Sequence, residues 1–154
     1  ALFASFWGAS FVSAVLLSRV KPLRRPGRAL IISHLIGAVA LATFAIHKPF
    51  MAFAAIVVLW GFAAGVAIST SRTIVQGAAG TRYLGRVLAV YSMGFMGGAP
   101  LGSAMVGFAA SQMGPRMAAL IPAAGLAFAA LVLAMVTPLW RFAPEQTSTD
   151  LIPD

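Results

Sequence analysis

Long apolar stretches alternate with short polar ones along the chain, and the apolar stretches are long enough to cross a membrane. Five segments lack Asp, Glu, Lys and Arg altogether: 1–18, 29–46, 50–71, 87–110 and 117–139. A helix needs about 20 apolar residues to span the hydrocarbon core of a bilayer. The pattern therefore predicts an all-α fold, a polytopic transmembrane helix bundle of five spans within residues 1–139, followed by a polar tail at 140–154.

The fourth span contains an unusual stretch of small residues, between positions 91 and 107. They recur at intervals of four: Gly94, Gly98 and Gly102, and then Ser103 and Gly107. Pro100 lies in the middle, and because proline costs roughly 3 kcal/mol inside a helix, the stretch is a poor helix for a soluble protein. In hydrocarbon the backbone has no other hydrogen-bond partner, so we predict a close-packed helix. Four glycines of this stretch, Gly94, Gly98, Gly102 and Gly107, are together called the glycine ridge below.

Four connections join the five spans, and three of them are compact. They cover residues 19–28, 47–49, 73–85 and 111–116. The connection at 73–85 is longer and contains Gly77, Gly80 and Gly85, which interrupt the apolar pattern. We therefore predict a loop at 73–85, with one helical turn at the membrane interface.

The third span has two local features of its own. Gly61 and Gly65 are four residues apart and form a small-residue pair of the kind that allows close helix packing. The span ends in Ser69, Thr70 and Ser71. Their hydroxyl groups either line a cavity or bond to carbonyl oxygens of their own helix, and the second arrangement is the commoner one.

Composition supports lipid as the solvent of this chain. Hydrophobic residues make up 60% of it and charged residues 9%, against roughly a quarter charged in a typical soluble domain. The formal net charge is +8, and nine of the eleven Lys and Arg residues lie at 19–28, 72–86 and 140–154. The positive-inside rule places these regions, including the carboxyl terminus, in the cytoplasm. The charge therefore indicates the lipid bilayer and its anionic headgroups as a partner, and we expect no nucleic acid.

The ionisable residues argue against catalysis within the spans. All three carboxylates, Glu145, Asp150 and Asp154, lie in the polar tail, and the chain has no cysteine. His34 is the residue available as a proton relay, although an interhelical hydrogen bond is its commoner role. Thirteen helical residues, about 20 Å, separate it from His47, so the two cannot share a metal ion. We expect no enzymatic activity, no cofactor and no metal site.

Three stretches resemble the carboxyl-terminal half of major facilitator superfamily transporters. They are the basic turn at 19–28, the segment TIVQ to YLGRVLAVYSMGFMGGAPLGSAMVG at 73–107, and the Gly-Pro-Arg turn at 114–116. The similarity covers nearly the whole chain, is strongest over 73–116, and is closest to bacterial drug and siderophore exporters. That family has twelve spans in two halves of six. The resemblance implies that the five spans are the eighth to twelfth helices, and that an amino-terminal half is missing.

The resemblance also implies two sets of gating or packing residues. One set is similar to the family's cytoplasmic gating loop: Arg19, Arg24, Arg25, Gly27 and Arg28. The family's first-half loop has an aspartate before its arginines, and no acidic residue is nearby here, so the alternative is that these arginines serve topology alone. The other set is similar to the glycine-proline antiporter motif: Gly94, Gly98, Pro100, Gly102 and Gly107. This second set either moves during transport or only packs.

By analogy with the family, the eighth, tenth and eleventh helices border a central cavity. Aromatic and hydroxyl side chains on the corresponding spans are then candidate substrate contacts: Phe3, Trp7, Ser10, Trp60, Ser69, Tyr91, Ser92 and Phe95. Aromatic surfaces with scattered hydroxyls and no fixed charge suit bulky amphipathic molecules.

The sequence thus predicts a fragment of a secondary active exporter of amphipathic small molecules, of drug or siderophore type, working by alternating access. We expect a multi-pass protein of the bacterial plasma (inner) membrane, whose partners include the missing amino-terminal half and a small-molecule substrate. The alternative is a small non-transporting membrane protein that packs against or stabilises a partner membrane complex. Seven further hydrophobic spans encoded upstream of Ala1 would favour the transporter.

Overall fold

Five helices make up the part of the protein that the computed structural model describes, residues 2–19, 25–46 and 49–136. They are α1 (Leu2–Arg19), α2 (Pro26–Thr43), α3 (Phe50–Met113), α4 (Pro115–Ala118) and α5 (Leu120–Val136). These ranges contain no strand and have five segments long and apolar enough to cross a membrane, two of them within α3. The predicted all-α, multi-spanning fold is confirmed. The polar tail, and residues 20–24 and 47–48 of two connections, lie outside the described residues.

Helix α3 departs most from the sequence-based expectation. It runs from Phe50 to Met113 and includes residues 73–85, so the predicted loop is wrong. Each glycine costs about 1 kcal/mol in a helix relative to alanine, and residues 73–85 contain no proline. Three glycines spaced along this segment are therefore not enough to turn it into a loop.

The two halves of α3 nevertheless run in different directions. The hydroxyl oxygens of Ser71 and Tyr91 are 2.8 Å apart, whereas twenty residues of straight helix span about 30 Å. The helix therefore folds back between these residues. We call Phe50–Ala79 its first arm and Arg82–Met113 its second arm. The reversal expected between the third and fourth spans is present, and the chain makes it without a non-helical loop.

A single glycine separates α3 from α4. Gly114 has a φ of 84°, a left-handed conformation that glycine adopts readily, and its N–H donates to the carbonyl oxygen of Ala110 at 2.9 Å. Pro115 then begins α4. The turn predicted at 111–116 is present at its centre, and helix extends into it from both sides.

Small side chains fill the contacts between helices, and large apolar ones face outward. α1 packs on α3, and α2 lies against both α3 and α5. Most of the buried apolar residues are alanines: Ala38, Ala40, Ala63, Ala109, Ala118, Ala123 and Ala130. By contrast, Phe3 and Met51 are each 78% exposed. Lipid tolerates exposed apolar side chains, and helices in lipid associate through close packing of small residues, so this distribution fits a bilayer and not water.

A close helix contact joins α1 to the first arm of α3 at Gly61 and Gly65. A methyl group at Gly61 would collide with the backbone carbonyl of Phe6, and one at Gly65 would collide with the Ser13 hydroxyl and the Ser10 backbone. Both serines are buried. The small-residue pair therefore sets the distance between these two helices, as its spacing predicts.

The glycine ridge has no such neighbour among the residues that the structure describes. Nothing lies within 4 Å of the point where a side chain would begin at any of its four glycines. The second arm is exposed at every position from Ser92 to Met105, and Pro100 lies inside it. Close packing of the ridge therefore stays a prediction.

Candidate functional site

Three of the predicted substrate contacts come together between α1 and the first arm of α3. Trp7, Ser10 and Ser69 line a groove of about 220 Å³. Its other walls are Phe11, Ala14, Gly65 and Ile68. Ser10 is buried at the helix crossing, whereas Trp7 is 50% exposed. The groove offers an indole ring, hydroxyl groups and aliphatic surface without a charged side chain, which suits an amphipathic ligand.

Trp60 lies in a different place from this groove. It precedes Ser69 by nine residues, about two and a half helical turns, so the two side chains leave opposite faces of the first arm. Trp60 lines a pocket of about 390 Å³ between α2, the first arm and α5. We call this the His34 pocket, and its walls include His34, Gly37, Trp60, Pro122 and Leu126. The eight candidates therefore do not form a single cavity in the described structure.

The remaining four candidates line neither of these two spaces. Phe3 is exposed and packs edge to face on Trp7, with ring centroids 6.1 Å apart. Tyr91 hydrogen-bonds to the first arm. Ser92 and Phe95 are exposed on the second arm. Their role as substrate contacts stays a prediction, as does that of the other candidates.

His34 forms a hydrogen bond within its own helix. Its Nδ1 lies 2.8 Å from the carbonyl oxygen of Leu30. Because a carbonyl can only accept, Nδ1 carries the hydrogen, and Nε2 is the acceptor atom of the neutral ring. The interhelical hydrogen bond that the sequence favours is therefore not formed within the described ranges.

Sequence reasoning missed that His34 and Trp60 share a pocket, although a signal for it exists. Each of these residues is thirteen positions from residue 47, in the connection between two antiparallel helices. Equal distances from a hairpin turn place two residues at the same depth. The pairing could have been predicted from this symmetry, but the third wall, from α5, could not.

The hydroxyl groups near the end of the third span differ in their hydrogen bonding. Ser71 Oγ donates to the carbonyl oxygen of Ile68 at 3.0 Å, and Thr73 Oγ1 donates to that of Ser69 at 2.9 Å. Ser69 itself lines the groove. Thr70 Oγ1 is buried and has no hydrogen-bond partner in the described part of the chain. A buried hydroxyl without a partner costs about 1 to 3 kcal/mol.

Thr70→Val should raise the stability of the protein. Valine has nearly the same shape and removes the unpaired oxygen, so we expect a gain of about 1 kcal/mol, measured as a higher midpoint of thermal unfolding in detergent. Thr43→Val is the matched control, since the Thr43 hydroxyl donates to the carbonyl oxygen of Ala40 at 2.6 Å and its removal should bring no gain. A lower midpoint for Thr70→Val would mean that this hydroxyl has a partner outside the described ranges.

Comparison with known families decides what kind of membrane protein this is. The family described as transmembrane secretion effectors matches residues 1–153. The chain belongs to this family. It is a family of the major facilitator type, so the chain is a multi-pass membrane protein with a transporter-type function. No match was found among curated proteins or among solved structures.

The residues assigned to gating lie near the carboxyl end of α1 and the amino end of α2. Arg19 ends α1 and is exposed, and Arg25 immediately precedes α2. Gly27 is buried and Arg28 half-buried, and both belong to the first turn of α2, not to the connection before it. Arg24 lies outside the described residues. The gating role of these five residues stays a prediction.

Proposed function

We propose that the chain forms part of a secondary active exporter of amphipathic small molecules, of drug or siderophore type, that works by alternating access. The groove between α1 and the first arm carries this proposal. Within a transporter family, it combines an indole ring with hydroxyl groups in an apolar recess that contains no charged side chain. Such a recess would bind a solute through its apolar surface and orient it through its hydroxyl or carbonyl groups.

The proposed partner of this bundle is a second helical half of the transporter. The glycine ridge supports this, because its glycines expose backbone that another helix can approach closely, and no described residue covers them. During transport the two halves would rock around a site near the middle of the membrane, with the second arm as a moving contact. The proposed location of this assembly is the bacterial inner membrane, and the distribution of Lys and Arg supports a carboxyl terminus in the cytoplasm.

The efflux of a labelled hydrophobic drug from bacterial cells tests the proposal. Cells that express the full-length gene should retain less drug than cells with an empty vector. Ser69→Leu fills the groove and should raise retention towards the empty-vector level. Ser5→Leu is the matched control, since this exposed serine of α1 lines neither the groove nor the His34 pocket and should leave efflux unchanged.

Two results would count against this function. Equal retention with and without the gene, over several amphipathic drugs, would contradict export. Normal efflux by Ser69→Leu would leave export standing but remove the groove as its site. If export is absent and the glycine ridge retains a partner complex during purification, the non-transporting alternative gains support.

A further inference from the structure

The His34 pocket has no part in the export route proposed above. Ile68 borders both spaces, with the groove on one side of the first arm and the His34 pocket on the other. The volume of about 390 Å³ lies near the lower end of the range for small-molecule sites, about 300 to 1,000 Å³. A site of this size holds a molecule of one or two rings.

Gly37 forms part of the wall of this pocket, and Leu126 and Trp60 pack close to its backbone. A methyl group there would lie 3.0 Å from Leu126 Cδ1 and 3.6 and 3.7 Å from the Cδ1 and Nε1 atoms of Trp60. The indole is held in place by Phe6 and Phe44, whose ring centroids lie 4.6 and 6.2 Å from its own. The Trp60 indole therefore forms one wall of the pocket and packs against two other aromatic rings.

Two ring nitrogens of the pocket, one acceptor and one donor, have no hydrogen-bond partner in the described part of the chain. Ser33 Oγ and His34 Nδ1 both donate to the carbonyl oxygen of Leu30, each at 2.8 Å. Nε2 of His34, an acceptor, and the Nε1–H group of Trp60, a donor, have no hydrogen-bond partner among the described residues. No carboxylate, lysine or arginine lines the pocket. A ligand that fits must be uncharged and must offer a group that both donates and accepts, as a hydroxyl does.

A second groove on α2 shows what a purely apolar space looks like in the same protein. It measures about 370 Å³ and is lined by Val39, Thr43, Ile56 and Leu59 among others. Its one hydroxyl, on Thr43, is already bonded to the carbonyl oxygen of Ala40. An acyl chain of a lipid would fill such a groove without leaving a polar group unpaired. The His34 pocket differs because a lipid chain would leave Nε2 and Nε1–H unpaired, which is unfavourable in an apolar environment.

We propose that the His34 pocket binds a small uncharged aromatic alcohol, a molecule of the phenol or naphthol class. Its ring would lie in the pocket beside the Trp60 indole. Its hydroxyl would donate to His34 Nε2, and the oxygen lone pairs would be available to the indole N–H group. This inference concerns a site separate from the groove and does not depend on export.

The test uses 2-naphthol as the probe and Trp60 as the reporter, with the full chain in lipid nanodiscs. The chain has three tryptophans, so a Trp7→Phe, Trp140→Phe background leaves Trp60 alone. Energy transfer from Trp60 to 2-naphthol should saturate. 2-Methoxynaphthalene, which cannot donate a hydrogen bond, should compete about tenfold less well, as expected for the loss of one hydrogen bond. Equal competition by the two compounds, or transfer that never saturates, would overturn the proposal.

Substitutions then locate the site. His34→Phe should weaken 2-naphthol binding about tenfold, and His34→Gln, which retains an acceptor, should weaken it less. Gly37→Leu should push Leu126 and the Trp60 indole into the pocket and close it, while Gly8→Leu, at a glycine with nothing described within 4 Å, is the matched control and should bind normally. Unchanged binding in His34→Phe and Gly37→Leu would place the probe elsewhere and refute the assignment, whatever the outcome of the efflux assays.

Discussion

Replacing both Gly61 and Gly65 by alanine is expected to abolish the stable packing of α1. At Gly61 the new methyl group meets the backbone carbonyl of Phe6, and at Gly65 it meets Ser10 and Ser13. Backbone atoms cannot move aside as a flexible side chain can, so the whole helix must shift. Overpacking typically costs about 1 to 3 kcal/mol at one site, and two sites on one contact should exceed the stability of the α1 interface.

The measurement is the midpoint of thermal unfolding together with the yield of monodisperse protein in detergent. Gly8→Ala with Gly125→Ala is the matched double variant, because no described atom lies within 4 Å of a new methyl group at either position. It should behave like the unmodified protein. If the Gly61 and Gly65 double variant also unfolds at the normal midpoint, the close approach of α1 to the first arm is refuted.

The second large effect is expected on transport rather than on folding. Changing Gly98 and Gly102 to leucine should reduce efflux by the full-length protein to the level of cells without the gene. The reason is that leucine at these positions covers the backbone surface that we propose as the moving contact with the partner half. Because no described residue lies near either glycine, the thermal stability of this chain alone should hardly change.

Gly97 provides a sharp control for this result. It also has open space around it, but around the helix it lies about 100° from Gly98 and about 140° from Gly102. Gly97→Leu should leave efflux largely intact. Unchanged drug extrusion in the Gly98 and Gly102 double variant would end the moving-contact hypothesis, and equal losses in both variants would attribute the effect to leucine anywhere on the second arm.

The membrane-spanning segments were predictable because their signal is simple. A run of apolar residues of bilayer length leaves few structural choices, so the all-α class followed directly from the hydrophobic pattern. The pair Gly61 and Gly65 was predictable for a related reason, since the spacing alone places both on one helical face. The spacing does not predict which helix the pair faces, and only the structure shows that this helix is α1.

The glycine content of 73–85 predicts a loop, and this prediction is wrong. Each of Gly77, Gly80 and Gly85 costs only about 1 kcal/mol in a helix, and the segment has no proline, so the helix continues through it. What the sequence could not show is how a chain can reverse direction and remain helical, since this depends on the contact between Ser71 and Tyr91 twenty residues apart.

The candidate substrate contacts were only partly brought together, also for a physical reason. A family resemblance assigns whole helices to a cavity, whereas a side chain faces that cavity only if its angular position is right. The candidate contacts Trp60 and Ser69 lie on the same helix but point to opposite sides of it. Angular position around α3 could have been read from the sequence, but the neighbours on each side could not.

The continuous backbone of α3 has a mechanical consequence. Its first arm is clamped to α1 at two glycines, while its second arm touches little of the described protein. Any movement of the second arm relative to the first must therefore bend the glycine-containing segment 73–85 that joins them. The stiffness of this segment, rather than the chemistry of a binding surface, would then govern how fast the second arm exchanges between its positions.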